Sequence, residues 1–252
     1  MKVIRAEVLG MCFGVRDALA TIGAVPTPEL VTIHGQLVHN EVVLHQLETR
    51  GFQMARESNR DALAATPSVL ITAHGISDRE RERLTRAGKT LIDTTCPLVT
   101  RVHTAARKLE REGYHVLVLG IRSHVEVRGI IEDLTHFDVI GSLDDVRTFE
   151  ATRLGIVAQT TTSEAQSARL REAIAAANPH AEIRYIDTVC QPTKDHQRSL
   201  ERLIDQVEAV VVVGGSNSNN TRALAARCAE RGRKVLRVAT ASELVPAWFE
   251  GL

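Results

Sequence analysis

Two stretches decide the fold: Leu91-Ile92-Asp93-Thr94-Thr95-Cys96-Pro97 and Tyr185-Ile186-Asp187-Thr188-Val189-Cys190-Gln191-Pro192. Each is a short apolar, β-branched run that ends in a cysteine, with a proline close behind where a helix can begin. A third stretch, Val8-Leu9-Gly10-Met11-Cys12, also ends on a cysteine but lacks the shared Ile-Asp-Thr. Three strands running into three cysteines read as three α/β units. Each unit sets one cysteine at the C-terminal end of a strand, the end where α/β sheets hold their ligands. The units are expected over residues 1–96 with Cys12, 97–191 with Cys96 at its entry, and a shorter 192–252 with Cys190 at its entry.

The same alternation extends through the chain. Strands are expected at Val3–Leu9, Leu30–His34, Val69–Ala73, Thr90–Asp93, Val116–Leu119, Leu154–Ala158, Ile183–Ile186, Ala209–Val213 and Val235–Val238. Val210–Val213 reads as a buried strand. Apolar residues at helical spacing mark Leu98–Glu112, Ser163–Ala177 and Gln197–Val207. Strand–helix alternation of this kind predicts an α/β fold with parallel sheets covered by helices.

Composition narrows the function. The 252 residues are 44% hydrophobic and 25% charged, with formal net charge +0. A dedicated nucleic-acid binder needs a basic face, so no nucleic-acid partner is expected. At 3%, aromatics are too few for base-stacking platforms. No apolar run approaches the roughly 18–20 residues of a membrane helix, and the N-terminus carries Arg5 and Glu7 where a signal peptide would be apolar. Four cysteines do not make a disulfide framework. The expectation is a cytoplasmic chain with reduced thiols and no membrane partner.

Cys228 falls mid-helix and reads as a buried packing residue. Cys12, Cys96 and Cys190 precede helices, where the dipole and free N–H groups favour a thiolate. Three convergent thiolates leave a fourth metal position open and suit an iron–sulfur cluster or zinc. His39, His74 and His124 each lie just past a strand or at a helix start, and imidazoles around a pocket suit an anion such as a phosphate. His34, His45, His103, His115, His136, His180 and His196 lack that placement and read as surface or packing residues. Glu126 follows His124 by two residues, which in an extended stretch would put both on one side for proton relay. Two polar strand-to-helix loops, Ala158–Ser163 and Gly214–Arg222, offer hydroxyls and amides at helix N-termini. Neither is a Walker A or a dinucleotide fingerprint.

In this order, these residues resemble the 4-hydroxy-3-methylbut-2-enyl diphosphate reductase family (LytB/IspH). The resemblance is carried by Gly10-Met11-Cys12-Phe13-Gly14-Val15, Val38-His39-Asn40, Ala73-His74-Gly75, Asp93–Val99, His124–Val127, Gln159-Thr160-Thr161, Val189-Cys190 and the Gly214–Arg222 loop. It implies three α/β units around a pseudo-threefold axis and a central 4Fe–4S cluster held by Cys12, Cys96 and Cys190. Residues matching His39, His74, His124, Ser218, Asn219 and Asn220 would grip the substrate diphosphate, with Thr161 at the substrate. Glu126 would supply protons, with Thr160 in the relay. Two electrons and two protons would remove the hydroxyl as water, giving isopentenyl and dimethylallyl diphosphate. A ferredoxin or flavodoxin type protein would deliver the electrons. The alternatives are a cluster-binding paralogue acting on another substrate, a non-catalytic redox or iron–sulfur sensor, and a three-cysteine zinc hydrolase.

The chain departs from the family pattern in places. Family members usually continue past the region matching Ala247–Leu252 into a Gly-Ala-Ser loop whose serine also binds the diphosphate. Ala18–Thr32 is compressed, with Pro26 and Pro28 where a longer helix is usual. His196 stands where the family usually has arginine, and Arg128-Gly129 replaces Glu-Gly.

Overall fold

The computed structural model describes residues 2–55 and 62–251. Ten strands and eight α-helices follow one another among these residues. The first sheet comprises β1 (Val31–His34), β2 (Gln53–Met54), β3 (Ser68–Ile71) and β4 (Thr90–Asp93), in the order β2-β1-β3-β4. The second comprises β5 (His115–Leu119), β6 (Phe137–Ile140), β7 (Arg153–Ala158) and β8 (Glu182–Tyr185), in the order β6-β5-β7-β8. The third pairs β9 (Ala209–Val213) with β10 (Lys234–Val238). Every pairing is parallel. The two larger sheets share one order, and the third starts it: second strand beside first.

Parallel neighbours need crossover helices, and the helices supply them. In the first unit, α1 (Phe13–Gly23) and α2 (Glu41–Thr49) cover one face of the sheet, packing Ala18, Ile22, Val43 and Leu47 on Ile33 and Leu70. On the other face α3 (Asp78–Arg86) sets Leu84 against Val69 and Ile71. In the second unit, α4 (Pro97–Arg111) and α5 (Val125–Ile131) cover one face through Val102, Ala106, Leu109, Val127 and Ile130. There α6 (Glu164–Ala177) covers the other through Leu170 and Ile174, which meet Leu117 and Ile156. Leu117, fully buried on central β5, is expected to cost about 2–5 kcal/mol on truncation to alanine. A urea melt checks this as a lower midpoint at unchanged slope.

The first two units are joined by capping in trans. The Asp133 carboxylate, just past α5, accepts from the Asp78 and Arg79 N–H groups at the start of α3, at 2.8 and 3.2 Å. Ser77 Oγ donates to Glu132 at 2.8 Å.

Some expectations need correction. Val3–Leu9 is not a strand. Its alternation is genuine, but no neighbouring strand pairs with it. It runs instead beside α7 (Gln191–Ile204), where Val8 N–H donates to Ser199 Oγ at 3.0 Å. Cys12 therefore follows an irregular segment. Val210–Val213 is only half buried: Val211 and Val213 are 37% and 68% exposed. The third sheet has two strands, and α7 with α8 (Asn219–Glu230) packs on one face only. β2 and β6 had no counterpart among the expected strands. Cys228 is buried against Leu200, Ile204, Val210 and Val212, as expected. No helix is long and apolar enough to cross a membrane among the described residues.

Candidate active site

The repeated Ile-Asp-Thr-X-Cys builds the same corner twice. After β4, Asp93 accepts from Thr95 N–H at 2.9 Å, Thr94 Oγ1 donates to the Ile71 carbonyl at 2.6 Å, and Cys96 N–H donates to the Ala73 carbonyl at 3.1 Å. After β8, Asp187 accepts from Val189 N–H at 3.2 Å, Thr188 Oγ1 donates to the Ala158 carbonyl at 2.6 Å, and Cys190 N–H donates to the Thr160 carbonyl at 3.0 Å. The aspartate turns the chain, the threonine ties it to the neighbouring strand, and the cysteine starts a helix. Pro97 and Pro192 sit in the first turn of those helices, where no N–H is needed.

Cys12, Cys96 and Cys190 are the N-cap residues of α1, α4 and α7, all extended, at φ −66°, −60° and −73°. None makes a side-chain cap hydrogen bond. Helices α2, α3, α6 and α8 are instead capped by Asn40, Ser77, Ser163 and Ser218. The cysteine N-termini thus spend their positive ends around sulfur. Burial raises both the Cys96 and the Cys190 thiol, against first-turn N–H groups at each and, at Cys190, the Thr193 hydroxyl 3.0 Å from its sulfur.

All three cysteines line one cavity of about 1050 Å³. Gly14 in the first turn of α1 lets Cys96 approach: a Cβ there would stand 2.6 Å from the Cys96 sulfur. Gly14→Ala must therefore turn that sulfur away, while alanine suits a helix better than glycine. We expect lower iron retention after reconstitution with no loss of thermal stability in the metal-free chain, read by iron assay and melting curve.

His39, His74 and His124 converge at the polar end of the same cavity. The His39 and His74 rings stack at 4.4 Å, and His124 stands edge-on to both at 5.2 and 5.6 Å. His124, the N-cap of α5, accepts from Glu126 N–H through Nδ1 at 3.1 Å. The remaining proton therefore sits on Nε2, a donor. Burial, helped by His39 and Arg222, depresses its pKa to about 3, so the ring is neutral. His39 Nδ1 pairs with Gln36 Oε1 at 2.8 Å. A neutral His124 ring is one that an arriving anion would recharge.

Glu126 lies inside the first turn of α5, in a helix rather than an extended stretch, and is 1% exposed. Its carboxylate accepts from Thr160 N–H at 2.7 Å and from Thr160 Oγ1 at 2.9 Å. Burial raises its pKa to about 7, against these two bonds. A carboxyl titrating there can both hold and release a proton near neutrality.

Thr161, Ser218, Asn219 and Asn220 complete the polar end. Ser218 caps α8, accepting from Thr221 N–H at 3.3 Å. Asn219 Nδ2 donates to Thr161 Oγ1 at 2.8 Å. Among the described residues, Asn220 Oδ1 is buried with no hydrogen-bond partner. His39, His124 and Ser218 stand at one offset past the ends of β1 (His34), β5 (Leu119) and β9 (Val213). His74 and Thr161 likewise share an offset past β3 and β7.

His196 and Asn40 are among the lining residues that the sequence reading did not assign to the site. His196 is half-buried on the cavity wall rather than a surface or packing residue. Helical spacing from Cys190 through Thr193 carried that signal. Asn40, beside His39, also lines the cavity.

The donor set can be tested for a metal. No group of three or more His, Cys, Asp or Glu is placed to hold a metal ion among the described residues. Three cysteine sulfurs lining one cavity are soft donors of the kind that suit an iron–sulfur cluster or zinc.

Fold and cavity together define a three-sheet α/β protein whose helix N-termini present cysteines, imidazoles and a buried carboxyl to one pocket. The chain belongs to the LytB protein family, whose model matches residues 3–252. Relatives named 4-hydroxy-3-methylbut-2-enyl diphosphate reductase include those of Geobacter metallireducens (32% identical, covering 100% of this chain and 89% of the relative) and Aquifex aeolicus (34%, 100% and 88%). The structure of the E-1-hydroxy-2-methyl-but-2-enyl-4-diphosphate reductase from Plasmodium falciparum superposes with TM-score 0.84 at 27% identity, over 93% of this chain and 75% of that one. A second, described as the terminal enzyme of the non-mevalonate pathway, gives TM-score 0.69 at 33% identity, over 99% and 89%.

Proposed function

We propose that this chain is a reductive dehydroxylase of 4-hydroxy-3-methylbut-2-enyl diphosphate. The observation that carries it is the meeting of three cysteine N-caps, three imidazoles and the Glu126–Thr160 pair in one cavity. In this reading the three units lie about a pseudo-threefold axis, with boundaries near 96 and 191, and Cys12, Cys96 and Cys190 hold a 4Fe–4S cluster. When bound, such a cluster supplies electrons and a Lewis-acid position for a leaving hydroxyl.

The chain's own residues do the rest. His39, His74 and His124, with Ser218, Asn219 and Asn220, bind the diphosphate and fix the C–O bond in place. Negative charge there favours the imidazolium form, which tightens the grip. Thr161 meets the substrate beside Asn219. Glu126 holds a proton in a buried site, and Thr160, which donates to its Oε2, lies on the delivery path. Two electrons and two protons turn the hydroxyl into water and leave isopentenyl or dimethylallyl diphosphate.

In this reading a ferredoxin or flavodoxin type protein delivers the electrons. Anaerobic reconstitution followed by iron and sulfide assay tests the cofactor. About four of each per chain supports it; zinc without sulfide overturns it.

A further inference from the structure

The loop that follows β9 is held from both sides. On its inner side Asn219 bonds Thr161 of the second unit. On its outer side it meets the start of α2, in the first unit. Ser216 N–H donates to Glu41 Oε1 at 3.0 Å and reaches Oε2 at 3.4 Å. The Ser216 hydroxyl donates to the same carboxylate. Between them the backbones touch: a Cβ on Gly215 would stand 2.1 Å from the His39 carbonyl oxygen and 2.9 Å from Asn40 Cα. Gly215, Ser218, Asn219 and Asn220 line the cavity, whereas Glu41 and Ser216 lie behind the loop and are exposed.

We infer that Glu41 is a positioning residue whose carboxylate latches the Gly214–Asn220 loop over the polar end of the cavity, and so sets affinity for the diphosphate without touching it. This rests on the reading of that loop as part of the diphosphate grip. Three features support a latch rather than a passive surface contact. The bonds join segments far apart in sequence. They include a backbone N–H, so they fix the loop's path as well as a side chain. They are also charge-assisted, which makes them stronger than neutral hydrogen bonds. The Ser216 hydroxyl holds the Glu41 carboxyl below its usual range, in keeping with a carboxylate engaged when ionised. Exposure limits the effect to a modest one.

The test uses the full chain. Glu41→Ala should speed amide exchange across Gly215–Asn220 about three- to tenfold and raise the Kd for inorganic diphosphate by a similar factor. In turnover the KM should rise accordingly, with kcat altered less than about twofold. Glu41→Gln, which keeps an acceptor and loses the charge, should fall between. Ser216→Ala, which loses the hydroxyl bond but keeps the backbone one, should have a smaller effect than Glu41→Ala, and the double variant should be no worse than Glu41→Ala. Gly215→Ala, which cannot rest on the His39 carbonyl, should exceed them all. Unchanged loop exchange in Glu41→Ala overturns the latch. Faster exchange with unchanged diphosphate affinity overturns it too. An unaltered chain that binds no inorganic diphosphate contradicts the function proposed above, whatever the loop does.

Discussion

Glu126→Gln is expected to lower turnover by at least about a hundredfold while leaving iron and sulfide content unchanged. General acid–base catalysis contributes about 10²–10⁴-fold, and Glu126 is the buried carboxyl on the cavity wall with a pKa near neutrality. Glutamine keeps an acceptor for Thr160 N–H but has no titratable proton. The pocket should therefore remain built. Stability supplies an independent reading in the metal-free chain. The folded-state pKa is raised from the ordinary glutamate value of 4.5 to about 7. The native state then holds the proton more tightly than the unfolded state, so this group's contribution to stability falls as pH rises from about 4.5 to about 7. Above that range Glu126→Gln should be more stable than the unaltered chain, by about 1–3 kcal/mol. Below about pH 4.5 that difference should vanish. Denaturant melts at pH 4 and pH 8 check this. Equal pH dependence in both chains would contradict the assignment of a buried, titrating carboxyl.

The second large effect concerns the cysteines. Cys96→Ser and Cys190→Ser should each lose most of the iron on reconstitution and reduce turnover to background. Each removes one of three cysteine sulfurs at helix N-termini that make no side-chain cap bond. Cys228→Ala, also a cysteine loss, should retain full iron content because Cys228 packs in the third unit's core, between Leu200, Ile204 and Val210. Metal assay and the visible spectrum of the reconstituted protein separate the two groups. Full iron in Cys96→Ser would contradict the ligand set.

Much of this was legible in the sequence because repeated residues make repeated hydrogen bonds. The two Ile-Asp-Thr-X-Cys stretches fold into matching corners, since the aspartate turn and the threonine tie are local. β4 and β9 fall at the residues expected from their apolar runs. What failed depended on neighbours. Val3–Leu9 alternates like a strand, but pairing is decided by whether another strand lies beside it. Val211 and Val213 look buried in sequence because the missing cover on that face leaves no local mark. Phe137–Ile140 forms β6 although His136 and Asp138 interrupt its pattern. The meeting of His39, His74 and His124 was foreshadowed by their similar placement near strand ends. The contact of Glu41 with Ser216 had no local signal, since it joins two units through loops that only the assembled fold brings together.

The most direct test of the central claim is anaerobic turnover. The chain is reconstituted with iron and sulfide, reduced through a dithionite–viologen system, and given 4-hydroxy-3-methylbut-2-enyl diphosphate, with Glu126→Gln alongside. The account predicts viologen oxidation that depends on the diphosphate and is lost in Glu126→Gln. A reduced cluster that stays reduced on adding the diphosphate, or turnover that survives in Glu126→Gln, would contradict it.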